Sequence, residues 1–296
     1  MWRGGYRRGD LHRARWSWQR AAMTRKTAIV TGASAGVGLA AARRLLALGW
    51  RVIGVGRDAG RCTAAEAELM SPHFTMLRAD LSSLEATARL AETIRAVAPR
   101  IDALLNNAGG TQAERRVTSE GHETTFAANH LGPFLLTTKL LPALGQGARV
   151  IAVSSTGHER CPGMNWDDLN FSHDWASGRA YCQAKLANIL FTRELARRHG
   201  AKGLVAHAMH PGVVDSNFAS HCEPGMQAYI ESIQHQAVPP EVPARTLVWL
   251  ASGIAPGQVN GRYYHDMAEA APSAAAQDDS AARKLWAVSE ALVAGY

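Results

Sequence analysis

The sequence predicts an α/β protein, a single doubly wound parallel sheet with helices on both faces. Three observations predict it. Short β-branched runs alternate with longer Ala- and Leu-rich stretches along almost the whole chain. That is the pattern of repeated β-α-β units, whose right-handed crossovers cover both faces of a parallel sheet. The first β-branched run leads straight into a glycine-rich turn at Gly32, Gly36 and Gly38. Finally, 296 residues, 47% of them hydrophobic, can bury a large core, and α/β folds of this length are often one unit.

The elements follow in chain order, each read from its periodicity and its turn residues. Residues 27–30 predict the first strand and 36–48 the helix behind the glycine turn. Strands are expected at 51–55 and 73–77, then a helix over 84–97 and a strand at 101–105. A long helix is expected over 120–141, a strand at 149–153, a helix over 179–198 and a strand at 204–209. Helices near 224–235 and 241–251, a short strand at 262–265 and a last helix over 279–292 complete the set. Residues 156–178, rich in His, Trp, Asn and Asp, read as an insertion between a strand and a helix, and 271–278 as a loose surface loop.

The formal charge of +7 invites a nucleic-acid reading, but residues 1–22 hold six arginines against one acid. That basic, disordered-looking segment carries most of the excess and leaves 23–296 nearly neutral, so no basic groove and no nucleic-acid partner is expected. No run of about 18 apolar residues occurs, and so no transmembrane segment is expected. Cys62, Cys161, Cys182 and Cys222 show neither a C-x-x-C spacing nor a metal-ligand pattern, which suits a reducing, cytoplasmic setting. His130, His158, His173, His210 and His221 lack metal spacing and read as loop or core residues; no metal site is expected.

The chemistry begins at residues 31–38, Thr-Gly-Ala-Ser-Ala-Gly-Val-Gly. A strand, a glycine turn and a helix start make a phosphate cradle. Gly32 allows the tight turn, Gly36 lets the backbone approach a pyrophosphate, and Gly38 lets the helix pack on the strand. The helix N-terminus offers free N–H groups to the anion beside Ser34 and Val37. The second strand runs into Gly56, Arg57 and Asp58. An acid at the strand end would bind the ribose hydroxyls of NAD, but Gly56 occupies that place. Arg57 can pair with a ribose phosphate, and Asp58, although it lies about the right distance from the glycine loop to serve NAD, reads as a loop or helix-cap residue. NADP(H) is therefore the expected cofactor and NAD(H) the weaker candidate. Asp80 and Leu81, after the third strand, would border the adenine; an N-cap for the helix near Leu84 is the alternative for Asp80.

Asn106, Asn107, Ala108 and Gly109 end the fourth strand, where Asn satisfies turn backbone and Gly109 permits positive φ. Tyr181 and Lys185, four apart on a helix, share a face. A nearby ammonium is expected to lower the tyrosine pKa, as suits a general acid that protonates a carbonyl oxygen. Ser154 and Ser155 end the preceding strand, where a hydroxyl can bind the same oxygen or merely cap the strand.

Taken in this order, residues 31–38, 106–109, Asn129, 154–155, 181–185 and His210-Pro211-Gly212 resemble the short-chain dehydrogenase/reductase family, over about 26–293. Residues 126–137, 180–198 and 284–290 resemble its retinol dehydrogenase and WW-domain oxidoreductase branch. The resemblance implies a Rossmann-type fold and reversible hydride transfer between a nicotinamide cofactor and a small lipophilic carbonyl or alcohol. It implies Tyr181 as acid/base, Lys185 as the group that lowers its pKa and holds the ribose, and Ser155 as the substrate-orienting serine. It also implies Asn129 as support for a proton-relaying water, Pro211 and Gly212 near the nicotinamide, and a substrate pocket from about 156–178 and 213–240. A homo-oligomer is compatible with this reading. The reading from another class is a non-catalytic NADP(H)-binding sensor, which would not need Ser155, Tyr181 and Lys185 together.

Overall fold

The computed structural model describes residues 25–216, 218 and 222–296; the basic segment over 1–22 and His221 lie outside them. Eight strands form one sheet in the order β3-β2-β1-β4-β5-β6-β7-β8. The strands are β1 (Thr27–Thr31), β2 (Arg51–Gly56), β3 (Phe74–Arg78), β4 (Ile101–Asn106), β5 (Leu144–Val153), β6 (Val205–Met209), β7 (Arg262–His265) and β8 (Ala268–Glu269). Every pairing is parallel except the last, β7 with β8. All five residues of β1 are buried, as expected of a central strand covered on both faces.

The two faces carry separate cores. Ala28, Val30 and Val52 point to one side, where they meet Ala41 and Leu45 of α1 (Gly36–Ala47) and Leu247 of the helix over Glu241–Ser252. Ile29 and Ile53 point to the other, with Leu90 of the helix over Leu84–Val97, Phe134, Leu190 and Trp286. This alternation is the period-2 geometry of a strand reading out onto two helical layers. Chain order reverses between β1 and β4, so their carboxyl ends diverge and open a crevice there, the switch point where doubly wound sheets bind ligands.

Several elements differ from expectation. A helix, α2 (Ala59–Leu69), follows β2; Asp58 caps it by accepting from the Arg61 amide at 2.8 Å, in keeping with the cap reading. The helix over Leu84–Val97, α3, is capped by Ser83, while Asp80 accepts from the Ser82 amide and hydroxyl at 3.0 and 2.8 Å; the N-cap alternative for Asp80 is thereby corrected. The helix expected over 120–141 starts later and is interrupted: α4 (Thr124–Phe126), a π-turn (Ala127–Leu131) and α5 (Gly132–Leu140) run in succession. Its start is fixed by Glu123, which is fully buried and accepts from the Phe126 amide at 2.8 Å. β5 begins at Leu144, five residues before the expected start, across a register shift against β4.

Helix α6 (Ser177–His199) holds the 156–178 insertion: Gln183 accepts from the Asn165 amide at 2.8 Å and donates to Leu169 at 3.3 Å. After it come α7 (Pro224–Ser232), α8 (Glu241–Ser252) and α9 (Asp279–Leu292). Trp286 of α9 stacks on Phe191 of α6 at 5.9 Å. Residues 271–278 are not a loose loop: Ala276 is fully buried and the Ser273 amide donates to His158 Nε2 at 3.1 Å. Among the described residues no helix is long and apolar enough to cross a membrane.

Candidate active site

Two loops meet at the crevice and are tied together by side chains. The Thr31 hydroxyl, fully buried, donates to Leu105 and accepts from the amides of Asn107 and Ala108 at 3.0 and 2.9 Å. Asn107 Nδ2 in turn donates to the Thr31 carbonyl at 2.8 Å. Gly32 sits here with φ of 70°, and a Cβ on it would lie 2.9 Å from Asn107 Nδ2 and 3.0 Å from Ala108 Cα. The turn therefore needs glycine for both conformation and space. Gly36, φ 54°, would point a Cβ into open space, so its face of the loop is left clear for a ligand at the N-terminus of α1. Ala35 caps that helix without a side-chain bond, which leaves the first-turn N–H groups free to meet an anion.

A cleft of about 1620 Å³ runs along the carboxyl edge of the sheet. Gly32, Ser34, Gly36, Val37, Arg57, Asp80 and Leu81 line it near β1–β3. Asn107, Ala108, Gly109, Pro211 and Gly212 line its middle reach, and Asn129, Ser155, Tyr181 and Lys185 its far side. Gly38 is the one expected cofactor residue that does not line it. A Cβ there would collide with the Gly32 carbonyl, so Gly38 acts through helix packing, behind the loop. At the end of β2 a Cβ on Gly56 would lie 2.8 Å from Cys62 Sγ and 3.1 Å from Ser34 Oγ. A side chain at that position would have to displace Cys62 and press on Ser34. Arg57 is exposed beside it, and Arg61, from the first turn of α2, also lines the cleft. Arg61 was missed because α2 was missed, although the cap Asp58 followed by an Ala- and Glu-rich run was a readable helix signal.

The far side joins β5, the π-turn and α6. Tyr181 is half-buried, its ring and the Ser155 hydroxyl lie together against Gly157, and Ser155 Oγ accepts from the Gly157 amide at 3.1 Å. Burial pushes the Tyr181 pKa well above that of a free phenol; the Ser155 hydroxyl pulls it down, while Cys182 and Cys222 add to the rise. The expected depression by Lys185 is not found. The ammonium lies 5.4 Å from the Tyr181 ring centroid and donates to the Val153 carbonyl at 3.1 Å, and in the low-dielectric interior desolvation of the phenolate outweighs it. Lys185 itself is 3% exposed, and burial lowers its pKa to about 8. Ser154 faces inward: it is 1% exposed, and its hydroxyl donates to the Lys185 carbonyl at 2.7 Å. The two adjacent serines thus divide, one anchoring α6 and one reaching the tyrosine.

Asn129 belongs to the π-turn. Its Nδ2 donates to Thr125 and Gly110 carbonyls at 2.7 and 2.9 Å, and its Oδ1 accepts from the Gly110 amide at 3.1 Å. A π-turn re-aims side chains that an unbroken α-helix would place elsewhere. Gly109 does not take the positive φ expected of it; it is required by close approach instead, since a Cβ on it would come within 2.5 Å of Asn129 Oδ1 and 2.9 Å of Lys185 Nζ. At Gly212, φ 76°, the amide donates to His210 Nδ1 at 3.3 Å, and the His210 and His265 rings stack at 4.0 Å. His130 and His158 are buried and bonded to Ser289 and to the Ser155 carbonyl.

The pattern of the short chain dehydrogenase family matches residues 26–227. Human retinol dehydrogenase 14 is 36% identical over 290 residues, which cover 90% of this chain and 86% of that protein. The crystal structure of an uncharacterized protein from Mycobacterium Paratuberculosis is 34% identical, with a TM-score of 0.73, 91% of this chain and 93% of that one being covered. A blue fluorescent protein from a metagenomic library, solved in complex with NADPH, is 26% identical, with a TM-score of 0.65 over 80% of this chain and 94% of that one.

Proposed function

The chain belongs to the short chain dehydrogenase family and is an oxidoreductase acting on CH–OH donors; from that premise we propose that it uses NADP(H) to interconvert a carbonyl and an alcohol on a small lipophilic substrate, with Tyr181 as acid and base. One observation carries the reading: the Tyr181 and Ser155 hydroxyls and the buried Lys185 line the same cleft as the glycine turn. A nicotinamide dinucleotide fits this cleft. Gly36 leaves its face of the glycine turn clear, the free amides of α1 suit its pyrophosphate, and Arg57 and Arg61 suit a ribose phosphate. When bound, the cofactor supplies or accepts the hydride.

The protein's own part is position and proton. Ser155 and Tyr181 hold the carbonyl oxygen between two hydroxyls, and Tyr181, kept protonated by burial, gives it a proton during reduction. The Lys185 cation, held at the Val153 carbonyl, stabilises the phenolate left behind. Asn129, fixed by Gly110 and Thr125, supports the path by which that proton is replaced. Val213, Phe218, Met226 and Ile230 give the substrate end of the cleft an apolar wall, and the likeness to a retinol dehydrogenase supports a lipophilic substrate. The four cysteines are free, in keeping with a reducing, cytoplasmic setting.

The test is NADPH consumption by the purified protein with retinal, hexanal and α-tetralone. At least one should be reduced. Tyr181→Phe should cut that turnover by about 10²–10⁴ while NADPH affinity stays near the parent's. Near-parent turnover in Tyr181→Phe would overturn the assignment of the acid.

A further inference from the structure

Helix α7 is attached to the protein in an unusual way. Among the described residues it is the one α-helix that buries none of its side chains. Met226, Tyr229, Ile230 and Ile233 fall at i, i+3, i+4 and i+7, on one face, and all four line the cleft. The segment leaves and rejoins the body through a two-bond bridge: the Asp215 amide donates to Val238 and the Val238 amide to Val213, both at 3.0 Å. At its N-terminus Glu223 accepts from the Ser177 amide at 3.4 Å. Its middle is held from across the cleft. Arg160, on the 3₁₀ turn Thr156–Arg160 that begins right after Ser155, places its guanidinium 4.2 Å from the Tyr229 ring centroid. Arg160 makes no ion pair among the described residues.

We propose that Arg160 and Tyr229 form a clasp that joins the Ser155 side of the cleft to α7 and so sets how large a lipophilic substrate can reach Tyr181. The proposal rests on the oxidoreductase reading for its substrate. The physical argument concerns where the apolar face of α7 finds partners. It has no core beneath it, and the space it faces is continuous with the space above Tyr181, whose ring lies 5.1 Å from Phe218 on the same wall. A substrate that fills this space gives the α7 face the apolar contact the protein does not. A closed clasp favours short molecules that fit beneath it. A long or rigid molecule must part Arg160 from Tyr229 before it enters, and then gains the exposed face. The contact is an exposed cation–π pair, weak enough to open thermally and strong enough to bias the equilibrium several-fold.

The test combines hydrogen exchange at residues 224–233 with a ratio of two substrates. In Arg160→Gln and Tyr229→Leu, which remove the cation or the π-face, exchange of the α7 amides should rise about fivefold, and kcat/KM for retinal relative to hexanal should rise by a similar factor. Arg160→Lys and Tyr229→Phe retain cation and ring and should return both readouts toward the parent values. Unchanged α7 exchange in Arg160→Gln would overturn the clasp. Faster exchange with an unchanged substrate ratio would overturn its role in specificity. Failure of the oxidoreductase reading looks different: NADPH consumption would then be missing in the parent and in every variant alike, whereas a failed clasp leaves parental turnover intact.

Discussion

Under the proposed function, cofactor choice rests on a few side chains at the end of β2. Cys62 and Ser34 crowd position 56, and a glycine there offers no carboxylate to accept from ribose hydroxyls. Arg57 and Arg61 face the same part of the cleft. NADPH should bind at least about tenfold more tightly than NADH, since a charge-assisted hydrogen bond contributes about 1.5–3 kcal/mol. Arg57→Ala and Arg61→Ala should each erase part of that preference and the double variant most of it, with NADH affinity nearly constant, as read by fluorescence titration. Equal affinities in the parent would overturn this reading and give the ribose-binding role to Asp58. At this scale the sequence was informative about Arg57 and silent about Arg61, because a residue joins a site through the element that carries it. It also misjudged Tyr181. Spacing shows that Lys185 shares its face, but the desolvation that raises its pKa comes from residues distant in sequence.

Helices and loops place the proposed catalytic groups through close approaches that a residue pattern shows only in part. Asn106–Gly109 was readable as a glycine-bearing turn, and the structure adds what the glycine accommodates: Asn129 from the π-turn and Lys185 from α6 converge on it. The π-turn itself was not legible, because 126–137 has an unbroken helical pattern and the widened turn depends on tertiary partners such as the Asn129 bonds to Gly110. Gly109→Ala tests this junction. The added methyl meets only the far ends of two side chains, which can move, so the fold should survive with a melting temperature within a few degrees of the parent's. The movement displaces Asn129 and Lys185 together, and misplacement of about 1 Å at a catalytic centre can cost roughly 10²-fold in rate. Turnover should therefore fall by about that factor, read beside thermal melts. A Gly109→Ala protein with parental turnover would show that the approach of the loop to Asn129 and Lys185 has no catalytic weight.

The topology of the whole sheet was legible because repeated β-α-β units leave few arrangements open, whereas the closing strand β8, a two-residue hairpin arm on β7, is too short to show an alternation, and the 271–278 segment is held by a distant partner, His158. Long-range burial also makes the molecule sensitive to acid. Burial lowers the pKa of His122, His130, His199, His207 and His210, with His130 brought to about 3 and His210 to about 4. These imidazoles are neutral in the folded protein, while in the unfolded chain they protonate near their ordinary value of about 6.5. The unfolded state therefore binds more protons as pH falls below about 6.5, and stability, full above that value, is lost progressively toward the folded pKa. His130 should dominate: it is 1% exposed, packs against Phe126 and Phe134, and bonds to the Ser289 hydroxyl, with no carboxylate to receive a charge. By about pH 5, roughly 1.5 units below the ordinary value, its contribution is on the order of 2 kcal/mol, above the range where most carboxylates titrate. Thermal melts of the parent should fall by several degrees between about pH 7 and pH 5. The variant His130→Phe with Ser289→Ala removes the imidazole without orphaning the serine hydroxyl, and its melting temperature should fall by distinctly less over the same interval, whatever its starting stability. An equal fall in both proteins would mean that other groups, and not the buried His130, set the acid limit.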